Sequence, residues 1–286
     1  CYNADNGFVS IEVTGATGPY TYTWPNGDTT ATTDSLAAGS YVVTVTDALG
    51  CADTMAVSIS QPDLLVASID SVYNINCFGD STGWITSSVS GGTMPYTFTW
   101  SDGTLNDTIS GIASGVYYLT ITDANGCSAV DSAEVTDLFA SLNVVSSTSN
   151  VLCNGDSSGN ASLVISGGAA PYVINWSNGN DSTFNDSLIA GTYFYTVTDS
   201  VGCSLTDSVV ITEPASLSIS LTALAPVICN DDANASVMVA AVGGTAPVNY
   251  NWSNGFTTDT LENISSGTYI VTATDANGCT VVDSIE

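Results

Sequence analysis

Residues 91–103 read GGTMPYTFTWSDG, and this stretch decides the fold class. Tyr96, Phe98 and Trp100 alternate with threonines, a period of two that is typical of a β-strand with one apolar face. The glycines before the strand and the Asp-Gly pair after it indicate turns, because these residues adopt positive φ angles at little cost. Residues 115–127, GVYYLTITDANGC, show the same alternation and end on a second tight turn. Both stretches therefore predict strands joined by hairpins.

The same pattern recurs at a constant step along the chain. Trp24, Trp100, Trp176 and Trp252 are evenly spaced, and the cysteines alternate gaps of 50 and 26. The predicted copies are residues 1–61, 62–137, 138–213 and 214–286. Short strands with one polar face predict an all-β sandwich of about seven strands per copy, with the tryptophan on the third strand. The predicted fold is a tandem array of four immunoglobulin-like (PKD-like) β-sandwich domains with one disulfide each.

The cysteines indicate structural disulfides in an extracellular protein, since their number is even and they form no C-x-x-C pair. All eight are candidates: Cys1, Cys51, Cys77, Cys127, Cys153, Cys203, Cys229 and Cys279. We expect pairing across the longer gap, as in Cys1 with Cys51, because this satisfies every cysteine. Pairing across the shorter gap, as in Cys51 with Cys77, is the alternative and leaves Cys1 and Cys279 unpaired.

The charge composition excludes several classes of function. The chain has 28 acidic residues and no Lys, Arg or His, which gives a formal charge of −28. Nucleic-acid binding needs cationic side chains, and most acid-base and nucleophilic mechanisms need His or Lys. We therefore predict that the chain is not an enzyme and needs no cofactor. The repeated aspartates Asp47, Asp123, Asp199 and Asp275 are interpreted as turn caps, with calcium ligation as a weak alternative.

Residues 91–103 and 115–127 together resemble the SprB repeat of Bacteroidota surface adhesins. The shared pattern is GG-x-x-PY-x-x-x-W followed by G-x-Y-x-x-T-x-TD-x-x-GC, and Val248 replaces its tyrosine in the fourth copy. The resemblance implies a secreted, repetitive cell-surface adhesin or filament, exported by the type IX system, and it implies no catalytic site. The predicted function is accordingly structural: an extended stalk, adhesin or filament subunit that contacts surface glycans or substrata.

An Asp-Ser/Thr-apolar triplet is more frequent than composition predicts and resembles the O-glycosylation motif of Bacteroidota. Inheritance through the repeats and alternation of polar and apolar residues are the other explanation. The candidate acceptors are Thr29, Ser35, Thr54, Ser71, Ser81, Thr108, Ser132, Ser182, Ser187, Ser200, Ser208, Thr260 and Ser284.

Four aromatic residues are predicted to point away from the core and are candidate ligand or interface residues: Phe8, Trp84, Tyr118 and Phe194. The alternative function is a carbohydrate-binding array in which Phe8 and Trp84 are sugar platforms. Covering by a neighbouring linker or domain is the structural explanation for the same residues.

The two ends of the sequence suggest assembly. The first copy lacks the segment that precedes the cysteine in later copies, residues 64–76 in the second, and the last strand of the fourth copy is cut short. Unpaired edges of this kind accept strands from other chains, which predicts head-to-tail self-association. Continuation of a longer covalent array is the alternative.

Overall fold

The computed structural model describes residues 1–226 and 233–286, and these residues form β-strands and connecting turns without a helix. The first copy contains β1 Gly7–Ser10, β2 Thr21–Thr23, β3 Thr32–Leu36, β4 Gly39–Thr46 and β5 Ala52–Ile59. The second contains β6 Val66–Tyr73, β7 Gly83–Ser90, β8 Thr97–Trp100, β9 Thr108–Ile112, β10 Gly115–Thr122 and β11 Ser128–Val135. The third contains β12 Asn143–Ser149, β13 Gly159–Ser166, β14 Val173–Trp176, β15 Phe184–Leu188, β16 Gly191–Thr198 and β17 Ser204–Ile211. The fourth contains β18 Ser218–Ala225, β19 Ala235–Val242, β20 Asn249–Trp252, β21 Thr260–Ile264, β22 Tyr269–Thr274 and β23 Thr280–Ile285.

Copies two to four each fold into two three-stranded antiparallel sheets. In the second copy the sheet orders are β6-β7-β9 and β8-β10-β11, and each described sheet draws its strands from one copy. The predicted all-β class and tandem organisation are confirmed. A full copy has six strands rather than about seven, and the short strand Thr108–Ile112 in the second copy was not predicted from the sequence.

The core of each copy is built around its tryptophan. Trp100 is 2% exposed and packs with Ile85, Leu119 and Ile121, which are fully buried. Its indole Nε1–H donates to the backbone oxygen of Asn106 at 2.9 Å, which satisfies the only polar atom of the side chain. The other three tryptophans make the same bond six residues on, to Thr30, Ser182 and Thr258.

A tyrosine corner closes the second sheet of every copy. The Tyr117 hydroxyl donates to the backbone oxygen of Ala113 at 3.0 Å. Tyr41, Tyr193 and Tyr269 repeat this bond to the residue four positions earlier. The bond anchors the loop before the strand and is a feature of immunoglobulin-like sandwiches.

Strands β6, β12 and β18 are the first strands of their copies, and we name them the lead strands. The lead strand β6 runs antiparallel to β7, with Val66 opposite Ser90 and Tyr73 opposite Trp84. Gly91 lies against the residues just before this strand, with a φ of +67°, and a Cβ added there would stand 1.9 Å from the backbone oxygen of Leu64. Only glycine combines this φ with so close a backbone contact.

The chain divides into two compact units of two copies each, Cys1–Leu138 and Phe139–Glu286. Residues 1–226 and 233–286 contain no helix of the length and apolarity that a membrane crossing requires.

Candidate functional site

The first cysteine of a copy lies in a short loop, which we name the cysteine loop: residues 1–4, 77–80 and 153–156. The boundary residue that ends each copy holds this loop through one hydrogen bond. The backbone N–H of Asn3 donates to Gln61 Oε1 at 2.8 Å. Gly79 N–H donates to Asp137 Oδ1 and Gly155 N–H to Glu213 Oε2, at 3.1 and 2.7 Å. The loop is therefore fixed at the end of the sandwich where the last strand finishes.

The second cysteine lies at the opposite end, in a turn that we name the aspartate turn: residues 47–51, 123–127, 199–203 and 275–279. Asp123 Oδ1 accepts the N–H groups of Asn125 and Cys127, each at 2.9 Å. Its Oδ2 accepts Thr93 N–H at 3.0 Å, which ties the turn to the loop after the two glycines. Asp199 and Asp275 make the same three bonds, and Asp47 makes the two within its own turn. The predicted turn caps are thus confirmed.

These bonds set the ionisation of the three carboxylates in copies two to four. Burial acts to raise the pKa of Asp123, but the backbone N–H donors of Cys127, Thr93 and Asn125 outweigh it and hold the pKa below its ordinary value of 3.8. The pKa of Asp199 is lowered by the same balance. The N–H of Thr245 leads the lowering of the pKa of Asp275, against burial. The aspartate turns are therefore anionic caps on backbone donors.

We expect the array to lose stability in acid for this reason. Because the folded state lowers these three pKa values, the stabilisation is complete above the ordinary value of 3.8 and is lost as the pH falls through the lower folded values. Protection of the β8 and β10 amides from hydrogen exchange in urea should be constant from about pH 7 to 5 and should fall below about pH 4, after correction for the intrinsic exchange rate. Asp123→Asn should weaken this acid dependence, and Asp102→Asn in an exposed hairpin turn controls for the loss of one charge. Identical acid dependence in the Asp123→Asn variant and the parent would contradict the role of the cap.

Two disulfides join the cysteine loop of one copy to the aspartate turn of the next. Cys1 bonds to Cys127 in the first unit and Cys153 to Cys279 in the second, both across 126 residues, with Cα atoms 5.5 and 5.6 Å apart. Asn277 Nδ2 donates to the backbone oxygen of Leu152 at 2.9 Å beside the second bond. Each of these disulfides therefore staples two successive copies, and we name this arrangement the stapled junction.

The other four cysteines are Cys51, Cys77, Cys203 and Cys229. Cys77 and Cys203 are also disulfide-bonded. Cys51 is free and exposed. Cys229 lies outside the described residues.

The predicted disulfide within each copy is wrong, because Cys127 and Cys279 bond to the preceding copy. The contradicted pairs are Cys1 with Cys51, Cys77 with Cys127, Cys153 with Cys203 and Cys229 with Cys279. The alternative pair of Cys51 with Cys77 is wrong as well, because Cys51 is free. Cys51 precedes the eight-residue strand β5, whereas Cys1 lies near Ile59 and Gln61 at the far end of that strand. Eight strand residues span about 26 Å, and a disulfide requires Cα atoms within about 7 Å. The two cysteines of one copy are thus at opposite ends of the sandwich, and only the neighbouring copy is within reach.

The candidate glycosylation sites are distributed over the surface. Of the thirteen hydroxyl residues, eleven are exposed, and Ser208 and Thr260 are partly buried. No residue of the set is in the core, so each offers at least part of its side chain to solvent.

The four aromatic candidates are divided between the first three copies. Phe8, Tyr118 and Phe194 are 62%, 61% and 57% exposed in three different copies. Trp84 stacks on Tyr73 across the β6–β7 ladder, with ring centroids 5.8 Å apart and an interplanar angle of 9°. This contact explains Trp84 as half of a cross-strand pair that stabilises the lead strand.

The boundary residues Gln61, Asp137 and Glu213 were not predicted as loop anchors from the sequence. They occupy one and the same position of the repeat, and the signal was their polar side chain directly after an alternating strand. Among residues 1–226 and 233–286, no group of three Cys, Asp or Glu side chains converges in a way that suits a metal ion.

Comparison with known proteins agrees with the repeat pattern. The SprB repeat model matches the chain four times, at residues 1–29, 69–105, 145–181 and 221–257. In copies two to four the match begins at or near the lead strand, passes the first cysteine and ends after the tryptophan hairpin. A search of curated proteins found no match.

Several solved structures are similar to the chain. The tetra-tandem repeat in the extending region of a large adhesion protein is 18% identical, with 99% of this chain and 92% of that chain covered and a TM-score of 0.31. The protocadherin GammaB4 extracellular domain is 12% identical, with 98% and 62% covered and a TM-score of 0.31. Extracellular domains 3–5 of Drosophila OTK are 12% identical, with 77% and 98% covered and a TM-score of 0.28. The four regularly spaced matches to the repeat model, together with the repeated core and turns, show that the chain belongs to the SprB-repeat family.

Proposed function

We propose that the chain is a non-catalytic, load-bearing part of an extracellular stalk or adhesin. The observation that carries this proposal is the stapled junction. Each disulfide between the cysteine loop of one copy and the aspartate turn of the next carries tension past most strands of the two copies, so that only β11, β12 and β23 lie in the load path. Disulfides of this kind persist in oxidising surroundings, which supports an extracellular location.

The composition supports the same role. The charge of −28 makes neighbouring surfaces repel one another, which favours solubility. The chain also has no Lys or Arg after which trypsin-like proteases could cut. No side chain in the sequence has an ordinary pKa near neutrality apart from free cysteine, which supports a function without acid-base catalysis.

Three further properties are proposed from the resemblance to SprB-repeat surface adhesins. The array is exported to the cell surface through the type IX system, carries O-glycans on its Asp-Ser/Thr-apolar triplets, and reaches surface glycans or substrata as part of a longer structure. The exposure of eleven of the thirteen candidate hydroxyls supports the glycosylation. No cofactor is required for such a role.

An epitope inserted in the exposed hairpin turn at Gly103 tests the location. A Cβ at Gly103 would meet no atom within 4 Å, so this turn has room for the insertion. In cells that produce the protein, antibody should label the epitope without permeabilisation, and the same epitope in the equivalent turn at Gly27 is the matched control. Labelling that appears only in permeabilised cells would contradict the proposal. The intact mass of the array from these cells should exceed the 29.2 kDa of the polypeptide in glycan steps. The bare polypeptide mass would contradict the glycosylation alone.

A further inference from the structure

The outer face of the sheet β6-β7-β9 carries an aromatic pair in the second copy. The rings of Tyr73 and Trp84 are stacked, and the two side chains are 45% and 36% exposed. The neighbours of Trp84 in β7, Gly83 and Ile85, are buried, so the indole points away from the core. The pair is therefore a surface feature that lies outside the core of the sandwich.

The fold of a copy does not require this pair. The same cross-strand position holds Ser149 and Asn160 in the third copy, and Ala225 and Ser236 in the fourth. The lead strands β12 and β18 nevertheless form antiparallel ladders with β13 and β19. Both aromatic rings are present in one copy and both are missing from the next two, which indicates a role that is specific to the second copy.

Hydroxyl side chains surround the pair on the same face. Ser110 lies opposite Trp84 on β9. One step along the sheet, Thr86 lies opposite both Ser71 on β6 and Thr108 on β9. The hydroxyls of these four residues form no hydrogen bond with the described residues, and all four side chains are at least partly exposed. They are therefore available to the hydroxyl groups of a ligand.

The indole of Trp84 has one face on which a ligand can stack. Tyr73 lies against the other face, with ring centroids 5.8 Å apart and an interplanar angle of 9°, and this contact fixes the orientation of the indole. On the ligand side the register places Ser110, whose side chain is too small to cover the indole. Because the ring is already held in place, a ligand that stacks on it has less side-chain entropy to remove.

The charge of this face indicates the kind of ligand that complements it. The aromatic pair and the four hydroxyl residues are uncharged. Asp70 is the only acidic residue of β6, β7 and β9, and its Oδ1 accepts a hydrogen bond from the Ser88 hydroxyl at 2.7 Å. The whole chain has a charge of −28 and repels acidic polysaccharides. The complementary ligand is uncharged, with an apolar ring face for the indole and hydroxyl groups for the serines and threonines.

We propose that this face of the second copy binds a neutral polysaccharide of β-linked hexoses. One sugar ring stacks its C–H face on the indole of Trp84, and the sugar hydroxyls bond to Ser110 and Thr86. The inference rests on the proposed function, because it names the class of surface glycan that the array contacts and the copy that makes the contact.

The test uses the full oxidised chain and cellotetraose as the probe. Ser71 and Thr108 are also candidate glycan acceptors, so the chain is produced without glycans and no attached sugar can occupy the face. The other four tryptophans are at most 4% exposed, so acrylamide quenches mainly the fluorescence of Trp84. At about 5 mM cellotetraose the quenching constant should fall about twofold, as expected for a Kd of about 1 mM.

The matched variant combines Tyr73→Ser with Trp84→Asn. It carries the residues that the third copy has at this position, so it keeps a pair with which a copy already folds. Saturation transfer from protein to sugar, measured by NMR, should appear with the parent and disappear with this variant. Phe194→Val controls for the loss of an exposed aromatic residue, since Val42 stands at that position in the first copy, and it should leave the signal unchanged.

No saturation transfer with the parent, or equal transfer with the parent and the double variant, would overturn the proposal. A hexa-arginine peptide probes the cationic alternative, because guanidinium groups also stack on indole rings. Protection of Trp84 from acrylamide by this peptide and not by cellotetraose would overturn the proposal in favour of a cationic partner. Failure here with surface labelling intact leaves the proposed function standing, whereas intracellular labelling removes the function and leaves the sugar result readable.

Discussion

When the oxidised array is pulled from its two ends, we expect its covalent path to extend to about 120 Å. The path of covalent bonds runs from Cys1 to Cys127, along the chain to Cys153, and through the second disulfide to Cys279. Only the segment from Cys127 to Cys153 and the stretch after Cys279 can be drawn out, since all other residues are bypassed. These two segments together extend to about 120 Å at about 3.6 Å for each residue.

Reduction of the disulfides should increase this extended length almost tenfold. All 286 residues then bear the load, and the contour length rises to about 1,000 Å. The variant Cys1→Ser is the matched control, because it opens only the first staple. Its extended length should lie between those of the oxidised and the fully reduced chain, because residues of the first copy are then drawn out as well. Single-molecule force spectroscopy on the three forms gives these lengths directly, and an oxidised chain as extensible as the reduced one would contradict the load path.

Substitution of Gly91 by alanine should be among the most damaging single changes in the second copy. A Cβ there would stand 1.9 Å from Leu64 O and 2.7 Å from its carbonyl carbon, and both are backbone atoms that no rotamer change can move. The lead strand must shift, which places the expected loss at about 4 kcal/mol or more. Gly167 and Gly243 have the same contact, at 2.0 and 2.1 Å, in the next two copies.

The variant Gly103→Ala distinguishes the cost of the steric clash at residue 91 from the cost of a left-handed backbone alone. Gly103 also has a positive φ, +91°, but an added Cβ would meet no atom within 4 Å. Its expected cost is only the left-handed backbone penalty of about 1 to 2 kcal/mol. Hydrogen exchange in β6 and β7 reads out both variants, because unfolding of a multidomain array is not a single two-state transition. Equal effects of the two substitutions would show that the Leu64 contact does not hold the lead strand.

The alternating residues carried enough information to predict most of each sandwich. The side chains of Trp100 and Tyr117 form hydrogen bonds to residues close to them in the sequence. The hairpin turns depend on local Asp-Gly and Asn-Gly pairs. The strand Thr108–Ile112 was not predicted, because it is short and contains Gly111 with a φ of +70°, which interrupts the alternation of polar and apolar residues. The contact between Gly91 and the backbone of Leu64 depends on the path of the lead strand, which no local sequence pattern encodes.

The disulfide pairing could not be predicted from the sequence, because the cysteines recur with the same period in every copy. Cys51 and Cys127 occupy the same position in successive copies, so pairing Cys1 with either of them preserves the period. The choice depends on which ends of the sandwiches face each other. That arrangement is set by the anchors Gln61 and Glu213 and by the aspartate turn of the next copy.

Disulfide mapping tests the stapled junction most directly. Free thiols are alkylated first, and the non-reduced chain is cut with a protease specific for aspartate, because trypsin has no site. We predict a cross-linked peptide pair containing Cys1 and Cys127, a second containing Cys153 and Cys279, and an alkylated Cys51. Recovery of Cys1 with Cys51, and of Cys153 with Cys203, would contradict the account.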